Sequence, residues 1–232
     1  MSRVVAIVEG QTERTFVRDV LAPWLGWKGV MLTARLIGKP GHKGGIGAFA
    51  RAKNEIANLM NQDTGTVITT MFDFYGMPTT WPGRAKAARV SHDRKAKTVE
   101  VAIKEEIRTH LGDAFDERRL VPYVQMHEYE ALLFSHPAAI SEVMRAEESL
   151  AELQEICSSF ESPEHINDSP QTAPSKRLEG IFPYYQKTFH GILASKRIAI
   201  ETMRGECAHF DEWVATLESL VTEGEKDGQE TS

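Results

Sequence analysis

Cysteine is almost missing from this chain. Cys157 and Cys207 are the only two, too few and too isolated for a disulfide framework or a thiolate zinc site, and they read as buried thiols of a reducing compartment. No stretch approaches the roughly 18 consecutive apolar residues of a membrane span. Met-Ser-Arg leads straight into a strand pattern, so a cytoplasmic protein with no membrane segment is expected. Positive charge is not in excess: 27 basic residues face 33 acidic ones, a net charge of -6. That excludes a basic coat, although a local patch is enough to hold phosphates. His127-Glu128 is followed by Ala131 where a His-Glu-x-x-His zinc motif needs its second histidine. The glycine-rich stretch from Gly38 to Gly47 lacks the Gly-Lys-Ser/Thr ending of a Walker loop. There is no internal repeat. With 41% hydrophobic and 26% charged residues over 232 positions, the chain suits one large domain or a domain with an appendage.

What is present is organised around Val4 to Thr12. Val4 to Val8 is an apolar, mostly β-branched run, and Gly10 gives the sharp exit of a strand-to-helix turn. Thr12 is expected to cap the next helix, whose apolar stripe is Phe16, Val17, Val20, Leu21 and Trp24. Val30 to Ile37 predicts a second strand, Phe49 to Met60 a helix, and Thr66 to Phe72 a third strand ending at Asp73. Lys86 to Leu111 is helical in pattern, and Leu120 to Met126 predicts a fourth strand that Pro122 makes irregular. From Pro137 the signal is helical, over about Ala138 to Arg145, Ser149 to Phe160, Ser175 to Ile181, His190 to Arg204 and Phe210 to Val221. The expected organisation is an α/β core over 1–136, a helical C-terminal region packed on it over 137–222, and a polar, flexible tail over 223–232.

Strands alternating with helices imply parallel pairing, and ligands of such sheets bind outside the carboxyl ends of the strands. Glu9, Asp73 and the group His127-Glu128-Tyr129-Glu130 all leave strand ends. Oxygen ligands converging from three strands suit magnesium or manganese, which needs two or three carboxylates and keeps its remaining waters. Such an ion activates water and stabilises a phosphoryl transition state. Glu9 as a carboxylate beside a helix N-terminus, and His127 as a hydrogen-bonded structural residue, are the competing readings. Lys39 and Lys43, with His42, charge the glycine-rich loop for phosphate, against the reading of a solvated turn. Tyr75, Trp81 and Arg84 border the site and are placed to stack on or grip a nucleotide. Lys176, Arg177 and Lys187 are cations for a nucleic-acid backbone, or ordinary exposed charges.

Val8-Glu9-Gly10-Gln11-Thr12-Glu13 resembles the first Toprim (topoisomerase-primase) motif as it stands in the overcoming-lysogenization-defect nucleases, and Asp73-Phe74-Tyr75-Gly76 falls where that superfamily has Asp-x-Asp. The chain is similar over nearly its whole length to the bacterial family catalogued as domain of unknown function 4276. The likeness runs through Val-Glu-Gly-Gln-Thr-Glu, Phe-Asp-Phe-Tyr-Gly-Met-Pro, Tyr123 to Phe134, Pro163-Glu-His-Ile-Asn, Ala173-Pro-Ser-Lys-Arg-Leu and Cys207-Ala-His-Phe-Asp-Glu-Trp. This resemblance implies a Toprim-like, Rossmann-like fold and a Mg2+- or Mn2+-dependent nuclease acting on nucleic acid, DNA in preference to RNA. It also implies an ATPase partner in anti-phage defence, with a non-catalytic regulatory or sensor partner of an ATPase as the alternative. Glu9 is then ligand or general base, and Asp73 the principal ligand. The second acid of Asp-x-Asp is Tyr75, no ordinary magnesium ligand. Either Glu128 or Glu130 replaces it, which is the favoured reading, or the site binds metal weakly or is degenerate.

Overall fold

A computed structural model describes residues 1–37, 46–166 and 171–227. The initial β-branched run forms β1 (Ser2–Val8), followed by α1 (Gln11–Phe16), a π-helical stretch and α2 (Ala22–Trp27). Next come β2 (Val30–Leu36), α3 (Phe49–Gln62) and β3 (Thr66–Asp73), then α4 (Arg84–Ala87), α5 (His92–Leu111), β4 (Leu120–Val121) and β5 (Val124–Gln125). The chain continues through a 3-10 segment (Tyr129–Ser135) into α6 (Pro137–Met144), α7 (Leu150–Ser158), α8 (Pro174–Ile181), α9 (Ile192–Arg197), α10 (Ile200–Glu206) and α11 (Ala208–Asp227). The strands run in the order β2-β1-β3-β4, with β5 also on β3, and every pairing is parallel. Val8 pairs with both Leu36 and Met71, so the carboxyl ends of the three long strands lie level. The parallel α/β sheet flanked by helices is the architecture that the alternation of elements predicts.

Alternation along β1 assigns the two faces. Val4, Ala6 and Val8 belong to one core cluster with Phe16, Tyr123, Phe210 and Leu217, whereas Ile7 belongs to a second with Ile56, Phe72, Val99 and Ile103. The first cluster joins the sheet to the C-terminal helices. At its centre the Trp213 ring of α11 stacks on Tyr123 at 4.1 Å, and its Nε1 donates to Thr69 Oγ1 at 2.8 Å.

The structure departs from the sequence reading in four places. Thr12 does not cap α1. Gly10 occupies that position with no side-chain bond, and Thr12 is buried inside the helix. The fourth strand is two short pieces broken at Pro122, which has no N–H to give. The threonines of β3 close the gap: Thr69 Oγ1 donates to the Val121 carbonyl, and Thr70 Oγ1 both donates to the Tyr123 carbonyl and accepts its N–H. The helix expected over Lys86–Leu111 restarts at His92 after an extended Ser91. That over His190–Arg204 is interrupted by extended Ile198 and Ala199, where Ile198 and Ile200 enter the core. The helix α11 runs through Asp227. Residues 228–232 lie outside the described residues.

Trp213→Ala is expected to lower the unfolding free energy by about 3–5 kcal/mol, as for other buried aromatics, measured by urea denaturation. A loss below about 1 kcal/mol would remove this contact from the core.

Candidate active site

Parallel pairing carries past the strand ends. Beyond the register Asp73↔Gln125, the Phe74 N–H donates to the Gln125 carbonyl and the Tyr75 N–H to the His127 carbonyl. This ladder brings Glu128 and Tyr129 under Asp73, whose Oδ1 accepts the Tyr129 N–H at 3.0 Å. Glu9 leaves β1 on the same edge and lies against the backbone of Asp73 and Ile46.

Lys187 stands in the middle. Its Nζ is 2.9 Å from Glu130 Oε2 and 3.9 Å from both Asp73 Oδ2 and Glu13 Oε1. The stem is part-exposed while the ammonium turns into the acids. Burial works against its charge, but Glu130, Asp73 and Glu13 outweigh that and hold it above the ordinary lysine range. The lysine still does not satisfy the cluster. Glu9 Oε2 and Glu130 Oε1 are buried without a hydrogen-bond partner, and Glu130 Oε2 has the Lys187 ammonium beside it at 2.9 Å. Burial pushes the Glu9 carboxyl up to about 7, helped by Glu13 and opposed by Lys187. Burial likewise pushes Glu130 up to about 7 against the pull of Lys187. Asp73 is raised by burial, with Lys187 opposing and Glu13, Glu9 and Glu130 adding to the shift. Four carboxyls around one ammonium leave an excess of acid with orphaned oxygens, the donor set that a hard divalent cation takes. Glu9, Glu13, Asp73 and Glu130 are the residues that would hold one.

Glu13 was missed in the sequence. Placed on the first turn of α1, it folds back over Gly10, where a Cβ would lie 2.7 Å from Glu13 Oε2. The signal was available: Glu13 is four residues after Glu9 across a glycine turn. Glu128 turns elsewhere, its Oε2 accepting the Ser175 N–H at the start of α8. Of the two acids weighed as replacements at the Tyr75 position, Glu130 is the one that contacts the central lysine. Tyr75 is exposed at the rim.

The other candidates scatter. Arg84 stacks its guanidinium 3.9 Å over the Phe74 ring, with a buried Nε lacking a partner. Arg177 donates to the Thr172 carbonyl and covers the Phe160 ring. Lys176 pairs with Glu179 on the exposed side of α8. His127 is buried against Phe74, with its Nε2 2.8 Å from Nε2 of His92. Burial first, then neighbouring cations, pushes His127 down to about 3, and burial pushes His92 down to about 4, so both are neutral at pH 7. Lys39 and Lys43 lie outside the described residues.

A parallel α/β sheet with an acid cluster on its carboxyl edge defines the class. Residues 8–218 match the family described as domain of unknown function DUF4276, and the chain belongs to that family. No curated protein matches it. Among solved structures it is similar to the C-terminal region of the OLD protein of Xanthomonas campestris pv. campestris, at 15% identity over 98% of this chain and 97% of that one, with a TM-score of 0.47. It is also similar to the C-terminal region of the Burkholderia pseudomallei OLD protein, at 16% identity over 95% and 99% of the two chains, with a TM-score of 0.43.

Glu9 holds a proton in the fold up to about pH 7, whereas an exposed glutamate ionises near 4.5. A carboxyl raised in this way contributes stability fully below its unfolded value, and that contribution is lost as pH rises through about 7. In metal-free protein, Glu9→Gln should therefore gain on the wild type by on the order of 2–3 kcal/mol between about pH 5 and pH 8, at about 1.4 kcal/mol per unit. Urea denaturation of both proteins across that range checks it, since the histidines titrate in both. A difference independent of pH contradicts the buried-acid assignment.

Proposed function

We propose that this chain is a divalent-metal-dependent phosphodiester hydrolase of Toprim type acting on nucleic acid. The observation that carries the reading is the cluster of Glu9, Glu13, Asp73 and Glu130 around Lys187, in which Glu9 Oε2 and Glu130 Oε1 stay buried without a partner. Such a cluster repels a phosphodiester unless further positive charge joins it, so its chemistry calls for a cation before it admits the substrate. Magnesium or manganese, held by these acids, supplies charge neutralisation at the phosphoryl group and a more acidic water.

The protein's own groups then divide the work. Glu9, whose carboxyl titrates near neutral pH, is suited to take a proton from the attacking water. Lys187, freed from part of its acid contacts, offers a fixed positive charge to the phosphoryl oxygens, where preorganised charge is worth most. Asp73 is locked by the Tyr129 N–H, which keeps one oxygen engaged and turns the other towards Lys187. Tyr75 and Lys176 sit on the exposed rim, where an aromatic face and a cation meet a nucleotide chain. The expected substrate is DNA in preference to RNA, and an ATPase partner in anti-phage defence is the proposed setting.

Incubation with plasmid DNA and with RNA, plus magnesium or manganese, tests the reading. Glu9→Gln and Asp73→Asn should abolish cleavage, and Lys187→Met should lower turnover by about 100- to 1,000-fold, as when one preorganised charge donor is removed. Intact substrates with every metal, from protein that binds manganese normally, would overturn catalysis in favour of a non-catalytic regulatory partner.

A further inference from the structure

A second constellation lies apart from the acid edge and shares no residue with it. Helix α5 opens with His92 and Asp93, and His165 ends the short 3-10 turn Pro163–His165. His165 Nε2 is 2.9 Å and His92 Nδ1 3.8 Å from the same oxygen, Asp93 Oδ1. All three ligand atoms lie within 4.8 Å of one another. We propose that His92 Nδ1, Asp93 Oδ1 and His165 Nε2 form a binding site for a zinc-class divalent ion, separate from the magnesium or manganese site.

Three features carry the assignment. The first is the ligand set. Two imidazoles and one carboxylate suit zinc and its late first-row neighbours, whereas magnesium prefers all-oxygen surroundings. A tetrahedral zinc with bonds of about 2.0–2.2 Å keeps its ligands roughly 3.3–3.6 Å apart; the spacings to Asp93 Oδ1, 2.9 and 3.8 Å, bracket that range, and the two imidazoles, now 4.1 Å apart between centroids and tilted by 31°, would turn their nitrogens towards a common ion. The second is the arrangement behind the ligands. The far nitrogen of each imidazole is already anchored, His92 Nε2 on His127 Nε2 at 2.8 Å and His165 Nδ1 on Ser162 Oγ at 3.0 Å. This is how metal-binding histidines are aimed. Ser162 Oγ also accepts the Glu164 N–H, which fixes the serine in turn. His127 is thereby given a task, to hold the His92 ring with its Nδ1 edge towards Asp93. The third is access. The trio lies on the wall of a cleft of about 770 Å³ between α5 and the start of α11, and the Asp93 side chain is 76% exposed. A fourth coordination position therefore faces water, as in open zinc sites.

An ion here would fasten the start of α5 to the turn that carries Glu164, the residue whose carboxylate accepts the His209 and Phe210 N–H groups at the start of α11. The spacing gives no sequence motif, since His165 lies 72 residues beyond Asp93.

The test is a zinc titration of the chelator-stripped full chain in competition with a chromophoric chelator, repeated with cobalt to read coordination from its visible spectrum. With magnesium in excess to occupy the acid edge, one equivalent is expected, with a tetrahedral cobalt spectrum. Affinity should fall at least about 10-fold in Asp93→Ala and in His165→Gln, the scale on which losing even an outer-shell partner is felt, and stay unchanged in Glu9→Gln and Asp73→Asn. Asp93 is exposed, so its variant should fold, and an unaltered thermal melt of the stripped protein confirms that. Binding of less than one equivalent, binding that survives Asp93→Ala, or binding lost with the acid-edge variants would each overturn the site. None of these readouts requires nuclease activity, so this proposal and the catalytic one stand or fall separately.

Discussion

The structure turns on a charge imbalance: one ammonium, that of Lys187, set among four carboxyls at the carboxyl edge of a parallel sheet. Three of those acids belong to strand exits or the first helical turn, and the fourth to the 3-10 segment after β5. The lysine comes from a π-helical turn far along the chain, Lys187–Gly191, so the C-terminal region is bound to the edge by electrostatics as well as by apolar contact. Behind it, Tyr129 Oη donates to the Gly191 carbonyl at 3.2 Å, and the absence of a side chain at Gly191 leaves room for the Tyr185 hydroxyl, which a Cβ there would meet at 2.7 Å. Backbone and aromatic groups thus fix where the lysine enters.

The acids of this chain fall into two physical kinds. Glu128 and Glu164 meet backbone N–H donors at the starts of α8 and α11, where a carboxylate is stabilised by the unpaired donors and the helix field. Glu100 does related work, accepting the Val124 N–H at 2.9 Å beside His209. These carboxylates hold elements in place. Glu9 and Glu130 keep oxygens with no aligned donor, and a fold tolerates such groups only where something outside the chain completes them or a proton neutralises them. That difference separates architecture from chemistry among residues of the same type.

The same difference explains what the sequence disclosed. β1 and β3 were legible because β-branched runs ended by a glycine turn or an acid have few other readings, and parallel order followed from alternation with helices. The edge position of Glu9 and Asp73 followed in turn. Glu13 stayed hidden because a glutamate in a first helical turn is ordinary until Gly10 lets it fold back. Glu128 and Glu130 could not be told apart, since the choice between capping α8 and facing Lys187 depends on where residue 175 arrives. Pro122 announced an irregular strand but not the threonine bonds that mend it. His92 and His165 carried no signal, because contact between α5 and the turn after α7 is tertiary.

Chain order adds a consequence. Synthesis delivers Glu9, Glu13, Asp73 and Glu130 well before Lys187. A nascent chain stopped short of that lysine carries four acid groups with no counter-charge to gather round, and such groups stay hydrated or take up protons sooner than close on one another. The sheet edge is thus an unfinished surface until Lys187, late in the chain, arrives to complete it.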